Sequence, residues 1–165
     1  MKPDRGQTMV EFALVSSLLI VFVLGIIDFS YLFAGRLVAY EATRNAARFA
    51  ATHPVAWSNV NPAPANTIEG HLVVSSAPAQ ITNDDAHVKI EYYVAGGGTL
   101  TKCGQYTVLT GIFTPSGSYT QATCVIPGTL IQVTSTYTYT FITPMLKRTW
   151  TNLTITTTAG AMEEV

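Results

Sequence analysis

A carboxylate at the head of a membrane-length apolar run constrains this chain more than any other feature. Glu11 precedes sixteen uncharged residues, Phe12 to Ile27, and past Asp28 the run continues to Gly35 before Arg36. A bilayer core of about 30 Å takes roughly 20 helical residues, so Met9 to Phe33 is long enough to cross it. Ionised groups are costly in hydrocarbon, so an acid inside such a segment asks for a function. No proline interrupts Gln7 to Thr52, which predicts one long helix over residues 7–53.

The second half of that helix changes character. Arg36, Tyr40, Arg44 and Arg48 recur every four residues as a polar stripe, while Val38, Ala39, Ala42, Ala46, Phe49 and Ala50 form an apolar one. The pattern predicts a spanning part over about 9–33 and an amphipathic part over 36–52, stopped by His53-Pro54. At 1.5 Å per residue the helix would reach about 69 Å, far beyond a membrane's needs, with Gly25 and Gly35 as bending points. Residues 1–6 carry Lys2, Asp4 and Arg5 and are too short to fold, so they read as a leader or cytosolic stub.

From Pro54 to Asn66 the chain is rich in Pro, Ala and Asn and reads as a connecting loop, and the chain beyond Asn66 reads as β. Val88, Ile90, Tyr92 and Val94 alternate with polar neighbours up to a Gly96-Gly97-Gly98 turn. The cysteine-bounded stretch is assigned Tyr106–Leu109, a turn at Thr114–Gly117, and Tyr119–Ile126. The strongest alternation runs from Gln132 to Ile142, with Val133, Ser135, Tyr137, Tyr139 and Phe141 on one face. Its partner, Thr151 to Ala161, alternates likewise, and Thr143 to Trp150 should be an exposed hairpin loop. The expected fold class is α+β: a long N-terminal transmembrane helix with a small antiparallel sheet packed on its outer half.

Charge and composition narrow the function. Charged residues are only 12% of the chain against 48% hydrophobic. The near-neutral balance after Pro54 carries no footprint for nucleic acid. Cys103 and Cys124 lack a nearby histidine and do not make a zinc site; in an exported domain they read as a disulfide. His53, His71 and His87 are scattered, no catalytic constellation stands out, and no cofactor or metal is expected.

The Gly6 to Phe12 spacing followed by an apolar run resembles the class III signal of type IV pilins and pseudopilins. More closely, Val10-Glu11-Phe12-Ala13-Leu14, Gly25-Ile26-Ile27-Asp28-Phe29 and Asn45-Ala46-Ala47-Arg48-Phe49-Ala50 are similar to the N-terminal pattern of TadE-like minor pseudopilins. Val133 to Tyr139, Thr143-Pro144 and Ile155 to Glu163 are similar to that family's closing segments. The family usually has a second acid near the Asp28 position and often an alanine-glycine where this chain has Ala46-Ala47.

The resemblance implies a minor subunit of a Tad (tight adherence) pilus, not an enzyme, that primes or caps assembly of a filament. A prepilin peptidase would cut between Gly6 and Gln7, placing Glu11 at the fifth mature position and making Glu11 and Phe12 part of the recognised segment. Glu11 could then pair with its own or a neighbour's N-terminal amine, two costly charges becoming one pair; the bland alternative is snorkelling to the headgroups. Asp28 reads first as a solvated interfacial acid, with an inter-subunit salt bridge to Arg36 as the sharper alternative. The expected partners are the peptidase, other pilins and pseudopilins, the Tad machinery and membrane lipid. The expected location is the inner membrane, with domain 54–165 outside and a further place on the pilus or cell surface. The rival readings are an unprocessed single-pass protein displaying a β-domain as a binding module, and a secreted soluble domain behind an ordinary signal peptide. The length of the apolar run and the continuing amphipathic helix stand against the second.

Overall fold

A computed structural model describes residues 5–77 and 79–163; the first four residues of the predicted leader lie outside the described residues. Helix α1 runs from Arg5 to Thr52 through both Gly25 and Gly35. It ends where Pro54 bars continuation, with the His53 amide still donating to the Phe49 carbonyl at 2.9 Å. The remaining helices are short: α2 (Ile68–Ser75), α3 (Gln121–Cys124) and α4 (Pro144–Thr149). The strands are β1 (Val88–Gly96), β2 (Thr99–Thr107), β3 (Ile112–Pro115), β4 (Leu130–Tyr139) and β5 (Leu153–Met162). The expected α+β class holds.

The chain divides into two compact units. One gathers α1 up to Ala34 with Thr140–Leu153; the other holds Gly35–Tyr139 and the chain from Thr154 onward. In the second unit the sheet order is β3-β2-β1-β4-β5, so β1 lies at the centre. β1 pairs antiparallel with β4 in continuous register and with β2, where the register shifts between Tyr92 and Tyr93. The β1–β2 hairpin turns through Gly97 and Gly98 at φ +60° and +83°, the left-handed backbone that glycine adopts without a Cβ penalty. Side-chain bonds between Thr134 and Thr158, Ser135 and Thr157, and Thr136 and Thr156 trace the antiparallel register of β4 against β5.

The core of this unit forms where the alanine stripe of α1 meets the inner sheet face. Ala39, Ala42, Ala46 and Ala50 are fully buried, in one cluster with Val88, Ile90, Ile131 and Val133. Small residues let the helix backbone approach the sheet closely, while Arg36, Tyr40, Arg44 and Arg48 stay exposed as the periodicity predicts. One polar knot lies inside this seam. The Thr43 hydroxyl donates to the Ala39 carbonyl at 2.7 Å and shares hydrogen bonds with Ser135 at 2.7 Å and Thr157 at 2.9 Å. Thr43→Val keeps the shape but removes the hydroxyl, leaving Ser135 and Thr157 to satisfy each other. A loss of about 1 kcal/mol in denaturant titrations of the full chain is expected.

Three short helices depart from the sequence expectations. The stretch Tyr119–Ile126, assigned to β, contains α3: Thr120 and Thr123 cap each other reciprocally, and that local bonding closes a single helical turn. The hairpin loop expected at Thr143–Trp150 is instead helical over α4, with Pro144 at the first turn, where its missing N–H costs nothing. Helix α2 falls in the region beyond Asn66 that reads as β. Its Thr67 N-cap accepts from the Gly70 amide at 3.1 Å, and a Cβ on Gly70 would lie 1.8 Å from the Pro64 carbonyl oxygen. Strand β4 also stops at Tyr139, three residues short of the expected end, and from Thr140 the chain belongs to the other unit.

Candidate functional site: the apolar helix and its acids

The first half of α1 is apolar and uncovered. Met9, Phe12 and Leu14 are 77%, 74% and 66% exposed, and most of the large apolar side chains from there to Phe33, at 59%, are exposed too. The helix is long and apolar enough to cross a membrane. So much uncovered hydrocarbon is untenable in water, and a lipid or protein environment must supply the missing cover.

At the start of this surface the Gln7 side-chain amide donates to a Glu11 carboxylate oxygen at 3.1 Å, one helical turn away. The i to i+4 spacing puts residue 7 and the acid on one face, where an amine at residue 7 would also reach. Gly6 lies within the helical span and Phe12 is exposed beside Glu11.

Asp28 departs from its first reading. It is not solvated but fully buried, and its two carboxylate oxygens accept from the Ile142 amide at 2.8 Å and the Thr143 amide at 2.9 Å. Thr143 is the N-cap residue of α4, and its own side chain makes no capping bond. Asp28 thus supplies from α1 acceptors that the approach to α4 needs, as a charge-assisted clamp of the β4–β5 connection. Beside the clamp a groove of about 550 Å³ is lined by Phe22, Gly25, Phe29 and Phe33 of α1 and by Thr143 and Leu146. Arg36 is exposed and lies two helical turns beyond Asp28 in sequence.

In the β-bearing unit, Cys103 and Cys124 form a disulfide with their Cα atoms 5.5 Å apart, joining β2 to α3. A closed loop of this length is worth about 3 kcal/mol in the chain-entropy model. Around it, Trp57 stacks on Tyr106 at 4.9 Å and donates its indole N–H to the Tyr92 hydroxyl at 2.6 Å. Among the described residues no cluster of three His, Cys, Asp or Glu side chains could hold a metal.

Sequence reasoning assigns Glu69 no role. It is fully buried in α2; one carboxylate oxygen accepts from the Ser58 amide at 3.0 Å and the other has no hydrogen-bond partner. Burial raises its pKa from 4.5 to about 7, its backbone hydrogen bonds opposing that rise. No local pattern marks it as buried, and the amide it accepts from belongs to Ser58, eleven residues away.

Comparison with known proteins matches the family model described as TadE-like protein to residues 6–48. Neither curated proteins nor solved structures give a match. The matched segment covers nearly all of α1 and ends before the β-bearing part of the chain, so it carries the resemblance read at Val10–Leu14, Gly25–Phe29 and the start of Asn45–Ala50. Over residues 6–48, about a quarter of its length, the chain is similar to the TadE-like family.

Proposed function

We propose that the chain is a minor pseudopilin of a Tad-type pilus, acting in filament assembly or initiation for surface adherence, and not an enzyme. A prepilin peptidase removes the leader through Gly6, leaving Gln7 as the mature N-terminus. The span of about 9–33 then holds the subunit in the inner membrane with its β-domain outside. During assembly it exchanges lipid contacts for contacts with the helices of other pilins and the Tad machinery.

The observation that carries this reading is the bare apolar half of α1 with Glu11 one turn from residue 7. An amine generated at Gln7 would stand within reach of that carboxylate, its own or a neighbour's. Such a pair offsets two desolvation costs only when both partners are present, so it sets register between helices. An inter-subunit bridge from Arg36 would have to compete for Asp28 with the two backbone amides that it already serves.

Glu11→Ala tests the mechanism. The variant should insert in the membrane at normal levels, because removing an acid favours insertion, while surface piliation falls to background. Undiminished piliation, measured in sheared surface fractions, would refute the role given to Glu11.

A further inference from the structure

The Thr140–Leu153 connection carries features to which the role proposed for Gly6, Gln7 and Glu11 assigns nothing. Its α4 helix presents Lys147 and Arg148, both exposed, and residues 140–153 contain no acid. Ile142 and Trp150 flank α4 and are 65% and 54% exposed, on the same segment as the two cations. Trp150 sits beside the Phe141 ring at 6.0 Å. The nearby acid of α1, Asp28, is turned onto the Ile142 and Thr143 amides, clamping the segment to a defined level of the helix.

That level fixes the chemistry outside. Asp28 lies nineteen residues beyond Met9, about 28 Å along the helix axis, against a hydrocarbon core of about 30 Å. The clamp therefore holds α4 at the far membrane interface. Tryptophan concentrates at this depth, lysine and arginine extend to phosphates, and a loop's backbone is tolerated only if its polar groups are satisfied. The groove of about 550 Å³ beside Gly25 and Phe29 opens on the same unit, with Leu146 of α4 in its wall.

We propose that Thr140–Leu153 and the adjoining face of α1 form a binding site for an anionic phospholipid of the leaflet at the Asp28 end of the span. An acyl chain lies in the groove, and Lys147 and Arg148 hold the headgroup phosphate. The charge pattern favours lipid over a second copy of α1. Between residues 9 and 33 that helix carries only Glu11 and Asp28 as anions. Asp28 is buried, and Glu11 lies at the opposite end of the span, so a second copy in parallel register has no anion to meet the two cations.

The inference rests on the membrane-spanning reading, and the test separates the two. The full chain, at one copy per nanodisc, is placed in phosphatidylcholine mixed with phosphatidylglycerol, with either lipid brominated to quench tryptophan. Trp150→Phe supplies the Trp57 background. Brominated phosphatidylglycerol should quench Trp150 with a preference on the order of tenfold over brominated phosphatidylcholine, two basic groups each contributing severalfold. The exposed pair Lys147→Gln/Arg148→Gln should bring that preference close to one while co-flotation with vesicles persists. Equal quenching by both lipids, or quenching unchanged in Trp150→Phe, would overturn the site and leave the span standing. Loss of co-flotation in the unaltered chain would overturn both.

Discussion

Asp28→Ala is expected to free the Thr140–Leu153 segment from α1. The substitution removes acceptors from two backbone amides, one of them on the buried N-cap residue of a helix that has no cap of its own. Hydrogen bonds to a charged group contribute about 1.5–3 kcal/mol each, so losing two acceptors costs roughly 3 kcal/mol or more. If that loss falls on local opening, the open fraction of the segment rises by about a hundredfold or more, since 1.4 kcal/mol is a factor of ten. Lys147 and Arg148 make the change directly measurable as tryptic cleavage of the full chain in detergent micelles. Cleavage at those two residues should accelerate by that factor, while the disulfide-linked region keeps its resistance. Asp28→Asn retains one acceptor oxygen and should fall between. Unchanged cleavage in Asp28→Ala would mean that the segment is held by something other than this carboxylate.

The second large effect concerns Glu69 and pH. Its carboxyl titrates at about 7 in the folded chain and near 4.5 when unfolded, because burial penalises the charged form. Between these values the folded state retains a proton that the unfolded state has released. Stability therefore falls as pH rises from about 4.5 to about 7 and levels off above, by roughly 3 kcal/mol in all. Glu69→Gln keeps an oxygen to accept from the Ser58 amide and removes the ionisation, so the variant should lack this decline. The measurement is denaturant unfolding of the full chain in micelles at pH 5 and pH 8, followed by Trp57 fluorescence. The difference in stability between variant and parent should shift in the variant's favour on going to pH 8. A difference that does not move with pH would show that Glu69 does not titrate in this range.

The parts legible in the sequence are those written in a repeating pattern. The absence of proline from Gln7 to Thr52 and the four-residue recurrence of Arg36, Tyr40, Arg44 and Arg48 specify α1 and its buried alanine face. The alternation of Val133, Ser135 and Tyr137 marks the inner face of β4, and all three are buried. Short helices follow other rules. A single turn such as α3 depends on two threonines capping each other, too few residues for any periodicity to register.

The two acids escape a local reading for a related reason. Asp28 reads as solvated when only its own helix is considered, whereas the amides that bury it lie 114 and 115 positions away. Glu69 counts only as a charge in the sequence, although it is fully buried with one oxygen on the Ser58 amide. Burial of an acid by distant chain leaves no local signature, while a spanning segment and an amphipathic stripe do.

The central claim is that this chain is processed and enters a filament. The most direct test is the intact mass and N-terminal sequence of the protein from native membranes and from sheared surface material. The account predicts a mature chain beginning at Gln7, with the same species in the sheared fraction. A chain still beginning at Met1 in both fractions would contradict it and leave a membrane-anchored β-domain in place of a pseudopilin.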